Sequence, residues 1–383
     1  MNTAALDMPA ESADGLHGPI HFLEPPARLR RFQARPGEGP GTWVSYREHA
    51  AYAPLAAEAG ARERIEATVV FAKYFLLILC KRLISYELIP THLRDLRSPT
   101  GVIRFMRAAI GNVARKFARG RDSAVVPENR VATTLAADGI CVTQIDSATL
   151  ARLTAASQPL FDRLHASRVH HAGGGRRFEE SRSYAMRTAH GDLFAAVEAA
   201  LESTGILEGV SSLLGRQARL VDVNPQINDP TDDFWRRIFP DLPESERPLA
   251  YMHRDASGGD VKAILYMSDV GPETGPFSYT LGSHRVRSGN VSDWIEETND
   301  QSSCSGTGLR NRARFAALPK VLQRKCAFGN DILANTEIAE RLLAAEWTIT
   351  AERGHIVLFD TKGFHRGGMV TRGERLVLTC VIG

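Results

Sequence analysis

The chain has 383 residues, 43 % of them hydrophobic and 24 % charged, with a formal net charge of +3 at pH 7. That is an ordinary soluble, globular composition, long enough for two domains or one large one. The small net charge gives no ground for a nucleic-acid partner. Five cysteines (Cys80, Cys141, Cys304, Cys326, Cys380) are scattered and odd in number, with no pair at zinc spacing. They exclude a disulfide framework and fit a reducing cytoplasm, the expected compartment. Residues 1–18 carry acids and lack a basic start followed by an apolar core, so no secretory signal is expected there.

In chain order, residues 1–42 are rich in Pro, Gly, Ala and Arg and read as an irregular segment. Residues 43–125 read as a helical region. Its run Thr68 to Cys80 is strongly apolar, but Lys73 interrupts it and Lys81-Arg82 closes it. It is too short to span a bilayer comfortably, so a buried helix is expected. In the following stretch Ile103, Met106, Ile110, Val113 and Phe117 form one stripe at helical spacing, with basic residues over much of the rest. The expectation is a helix packed on the core with a solvated basic face. The sharper alternatives are peripheral contact with anionic lipid, or a docking surface for an acidic partner such as a carrier protein or a CoA thioester. Residues 122–130 read as a linker. Beyond it Ala137-Asp138-Gly139 leads into an apolar strand, Asp146 to Val169 is a helix capped near Asp146 or Ser147, and Asp192 to Leu214 is helical. Gln217 to Asn224 alternates as a strand stopped by Pro225, with Asn224 a weak candidate for facing a site.

The chemistry-bearing residues begin at His253-Arg254-Asp255. On a strand His253 and Asp255 point one way and Arg254 the other. A His-x-Asp alone is common by chance. Val261 to Val270 follows as a strand, then Gly275-Pro276-Phe277-Ser278-Tyr279-Thr280-Leu281-Gly282-Ser283-His284. Residues 285–351 read as polar loops and helices, a lid-like insertion. An apolar strand from His355 to Asp360 precedes His365, and Arg375 lies ten positions further, opening a last strand. There Arg375, Val377, Thr379 and Val381 share one face. An Arg aimed into an apolar lining calls for an anion, and its planar fork suits a carboxylate.

In this order the motifs resemble those of the phytanoyl-CoA dioxygenase family of Fe(II)/2-oxoglutarate oxygenases, over roughly residues 126–383. The resemblance implies a double-stranded β-helix, a jelly-roll, cupin-like barrel with helices around it. It implies Fe(II) held by His253, Asp255 and His365 as a 2-His-1-carboxylate triad, with 2-oxoglutarate and O2 on the open positions. Arg375 is the implied grip for the distal carboxylate of 2-oxoglutarate, with Thr379, Asn224 and Arg254 as weaker candidates for the cosubstrate. The usual small hydroxyl residue two positions after the Arg is here Val377. The implied reaction is hydroxylation of an unactivated C–H in a small-molecule or acyl-type substrate, free or bound to CoA or a carrier, with release of succinate and CO2. Desaturation, epoxidation and cyclisation remain open on the same chemistry. The readings from other classes are a non-catalytic metal-binding member and a cupin-like hydrolase or isomerase, which the Asp disfavours.

Overall fold

The computed structural model describes residues 21–36, 60–83, 98–100, 102–103, 106–107, 110, 129–166, 176–177, 184–230, 252–255, 261–286, 298, 317–318 and 336–383. Two antiparallel sheets form the frame. The larger has seven strands in the order β1-β2-β8-β5-β10-β4-β3: β1 (Phe22–Leu23), β2 (Ile140–Gln144), β3 (Arg176–Arg177), β4 (Leu220–Asn228), β5 (Val261–Tyr266), β8 (His355–Asp360) and β10 (Arg375–Ile382). The smaller has the order β7-β6-β9, from β6 (Phe277–Thr280), β7 (Glu346–Ile349) and β9 (His365–Arg366). His253 bridges to His365 and extends it.

Strict alternation along each strand sorts the residues onto two faces. Val142, Tyr266, Val357, Phe359 and Val377 of the large sheet pack with Phe277, Tyr279, Trp347 and Ile349 of the small one, so the sheets face each other across one apolar interior. The other face of the large sheet carries Ala263, Leu265, Ile356, Leu358, Leu378 and Cys380. It is covered by α3 (Ser147–Ala166), α5 (Gly191–Ser203) and α6 (Ile206–Leu214), through Leu153, Phe161, Val197 and Val210. Remaining helices are α1 (Ala61–Leu83), α2 (Arg130–Asp138), α4 (Tyr184–Ala189) and α7 (Glu337–Ala344). This is the double-stranded β-helix.

Local chemistry explains the elements that frame the interior. Asn129 caps α2, its Oδ1 accepting from Ala132 N at 3.2 Å. Gly139 ends that helix at φ +79°, a conformation that suits glycine, and its N–H donates to Leu135 O. Asp146 caps α3 by accepting from Thr149 N at 2.8 Å. The helical stretch from Asp192 to Leu214 is found as two helices, divided at Gly205 with φ +67°.

The structure departs from the expected elements at several points. Pro225 does not stop β4, which continues to Asn228. The outer neighbour β3 pairs only with Ile227 and Gln226, so the missing N–H of Pro225 falls beside an incomplete ladder. The insertion does not run to residue 351: α7 packs Ile338, Ala339 and Leu342 beneath the small sheet, and β7 pairs with β6 in full. Helix α1 is buried on one side only, through Ala67 and Ile78, while Val69 is 62 % and Leu76 59 % exposed. Its stripe is narrower than its apolar content suggests. Ile103, Met106 and Ile110 are helical and 54–65 % exposed, so the expected packing of that stripe on the core is not found. The rest of the basic region, the N-terminal 20 residues, the linker at 122–128 and most of the insertion lie outside the described residues. Among the described residues no helix is long and apolar enough to cross a membrane.

Candidate metal centre

His253 and His365 are locked together by the backbone: each N–H donates to the other's carbonyl at 2.9 Å. Asp255 N donates to Thr361 O at 2.8 Å, which fixes the carboxylate beside the same loop. The side chains then converge. His253 Nε2 is 3.5 Å from Asp255 Oδ1, and His365 Nε2 is 3.6 Å from Asp255 Oδ2. One ligand atom from each of the three residues lies within 4.8 Å of the others, the group among the described residues able to hold a metal in this way. Donors cis to one another on a metal at about 2.1 Å would be about 3 Å apart, so a small inward adjustment closes the set.

The protonation states suit a cation. His365 Nδ1 is 2.8 Å from Gly363 O. A carbonyl only accepts, so Nδ1 carries the proton and the Nε2 lone pair faces the other two ligands. Burial pushes the His365 pKa down, and His253 adds to this against the pull of Asp255, leaving a neutral imidazole. Burial would raise the Asp255 carboxyl, but the Lys262 ammonium beside it, with the two imidazoles, outweighs this and holds it well below the usual carboxylate range. Two imidazole nitrogens and one carboxylate are the donor set of a non-heme Fe(II) centre, and the residues fit it.

The ring of His365 is boxed by aromatics. Phe359 lies 4.9 Å away between centroids, Phe277 5.7 Å, and Tyr279 stacks at 6.4 Å. The loop behind it is held by the Gly282-Ser283-His284 segment, since Ser283 Oγ donates to Thr280 O and accepts from Phe364 N at 2.8 Å. Tyr279 Oη donates to Asp360 O at 3.0 Å and leaves no room beside it. A Cβ on Gly363 would be 1.9 Å from Tyr279 Oη. Gly363→Ala is therefore expected to destabilise the protein by roughly 1–3 kcal/mol and to weaken metal binding, since Gly363 O orients His365. Chemical denaturation and a metal titration of that variant check both.

Arg375 sits on the inner face of β10, in step with the strand's alternation. Successive inner positions Arg375, Val377, Thr379 and Val381 stand opposite Asn228, Gln226, Asn224 and Asp222 of β4. Arg375 Nη2 donates to Asn228 Oδ1 at 3.1 Å. Its Nη2 also lies 3.7 Å from where a Cβ of Gly367 would be, two residues past His365 in sequence. Asn224 is 8 % exposed, stands opposite Thr379, and its Oδ1 accepts no hydrogen bond. Arg254 faces away from the pair that flanks it: its Nε donates to Lys362 O at 2.6 Å and its guanidinium lies over Phe364. Sequence reasoning missed Lys262, whose Nζ is 2.5 Å from Asp255 Oδ2. The signal was its place in the alternation of Val261 to Tyr266, which turns it inward.

No family model matches the chain, and no curated protein matches it. Solved structures do. The non-heme α-ketoglutarate-dependent epimerase SnoN from nogalamycin biosynthesis is 15 % identical over 66 % of this chain and 81 % of its own, with a TM-score of 0.41. The carbocyclase SnoK from the same biosynthesis is 11 % identical over 67 % and 83 %, at 0.38. EctD from S. alaskensis with bound Fe is 14 % identical over 68 % and 78 %, at 0.39. At such identities and scores, the activities of those proteins are no guide to the activity of this one.

Proposed function

We propose that this protein is an Fe(II)- and 2-oxoglutarate-dependent oxygenase of the phytanoyl-CoA dioxygenase type. The observation that carries the reading is the convergence of His253, Asp255 and His365, with Arg375 on the inner face of β10. The three side chains would hold Fe(II), which supplies O2 activation coupled to decarboxylation of the keto acid. Three protein ligands would leave room on such an ion for a chelating keto acid and for O2. Arg375 presents a planar cationic fork to the distal carboxylate. Thr379 and Asn224 stand opposite each other on the same inner face as Arg375. The buried carboxamide of Asn224 has hydrogen-bonding capacity to spare, which suits a second contact to the cosubstrate where Val377 replaces the usual hydroxyl. Arg254, turned to Phe364, is a framework residue.

The aromatic box of Phe277, Tyr279 and Phe359 keeps water from one side of the metal ligands, as an oxidising centre needs. The outcome assigned is hydroxylation of an unactivated C–H in a small-molecule substrate. The test is anaerobic reconstitution with Fe(II), then addition of 2-oxoglutarate and O2 with succinate as readout. Slow uncoupled succinate formation is expected even without substrate, abolished by EDTA. A protein that binds no Fe(II), or that leaves 2-oxoglutarate intact with every candidate substrate, sinks the reading.

A further inference from the structure

We infer that Lys262 is a positioning residue that makes Asp255 a one-oxygen ligand and so keeps the metal open to a chelating keto acid; this rests on the proposed function above. Lys262 is on the inner face of β5, opposite Val381 on one side and Phe359 on the other. Both neighbours are apolar and buried. A lysine there is costly unless its charge is used, and an apolar residue would fill the place at lower cost. Its ammonium is spent on one atom, Asp255 Oδ2 at 2.5 Å. The side chains of both residues are largely shielded, at 17 % and 19 % exposure, so the contact is not a surface pair that water dissolves.

The consequence for coordination is geometric. A carboxylate beside a cation can bind through one oxygen or two. Oδ2, which also lies 3.6 Å from His365 Nε2, is engaged by Lys262 at 2.5 Å, so Oδ1, 3.5 Å from His253 Nε2, is the oxygen left for the metal. Two-oxygen binding would take up one of the three positions that the keto acid and O2 share. The single point charge of lysine matters here: an arginine fork would engage both oxygens and compete with the metal itself.

Two variants separate this role from a merely structural one. Lys262→Met frees Oδ2. It is expected to bind Co(II) or Fe(II) at least as tightly as wild type, but to bind 2-oxoglutarate about tenfold or more weakly. Anaerobic titration followed by the visible charge-transfer band of the Fe(II) keto-acid complex reads the second effect, and Co(II) absorption reads the change in coordination. Lys262→Arg keeps the charge and the fold but is expected to bind the metal itself at least tenfold more weakly. If Lys262→Met leaves the Co(II) spectrum and 2-oxoglutarate affinity as in wild type, or Lys262→Arg binds metal as wild type does, the inference falls while the oxygenase reading stands. If Lys262→Met does not fold, the Lys262→Arg result alone decides. A wild-type protein that takes up no metal removes the oxygenase reading instead.

Discussion

Replacing His365 by alanine is expected to abolish stoichiometric Fe(II) binding and, with it, all 2-oxoglutarate turnover. The imidazole is almost wholly buried, its Nδ1 is held by Gly363 O, and its free Nε2 completes the donor set. His253 and Asp255 remain in place in the variant, because backbone bonds to residues 365 and 361 fix them irrespective of side chain. What is left is a two-ligand site. Disturbing only the partner that orients a metal ligand costs about ten- to a hundredfold in affinity, so losing the ligand itself should exceed that. The aromatic box leaves an imidazole-sized space, and added imidazole is expected to restore part of the metal binding. Metal analysis by mass spectrometry after desalting is the check. A His365→Ala protein that retains one iron per chain with wild-type affinity would falsify the triad.

The convergence of His253 and Asp255 was legible from their spacing, although in the structure residues 252–255 form no strand and His253 makes only a bridge, to His365. His-x-Asp on an extended segment has one geometric meaning, and Arg375 on the same face as Val377 has another; neither depends on distant parts of the chain. The register of β10 between β4 and β5 sets Arg375, Val377, Thr379 and Val381 along one face. Lys262 escaped because a lone lysine in an apolar strand reads as an outward, solvated position. Its place in step with Ile264 and Tyr266, which pack between the two sheets, is what turns it inward. The aromatic box around His365 is assembled from residues 277, 279 and 359, separations that no local pattern encodes. Proline at 225 was read by its usual effect, and the exception depends on how short β3 is. For α1 and the residues near 103–110, apolar stripes at helical spacing say that a face exists, not whether anything covers it. Val69, Leu76 and Ile110 show that much of it is uncovered.

Arg375→Ala is expected to separate cosubstrate binding from metal binding. The residue is outside the ligand set, with its guanidinium near Gly367, on an inner face of β10 shared with Val377 and Thr379. In the proposed complex it makes a charge-assisted, two-point contact to the distal carboxylate of 2-oxoglutarate in a shielded place. Removing one partner of such a pair costs about 3 kcal/mol, on the order of a hundredfold in affinity. Iron affinity should change little, because Arg375 is not one of the three residues that would hold the metal. Its neighbour Asn228, which now accepts from Nη2 at 3.1 Å, would lose a donor, and a modest loss of stability is expected with it. Arg375→Lys should recover only part of the affinity, since a point charge cannot reproduce the fork. Anaerobic titration of the Fe(II) protein with 2-oxoglutarate measures the first effect, and Fe(II) or Co(II) titration without cosubstrate measures the second. Unchanged 2-oxoglutarate affinity in Arg375→Ala would move the grip to another cation, with Arg366 and Arg372 next in sequence. Of these, Arg366 is already engaged in a two-point pair with Glu346 at 2.7 and 2.8 Å, and Arg372 is exposed near Glu273. Neither presents a shielded fork to the barrel interior, which is why the large effect is expected at Arg375.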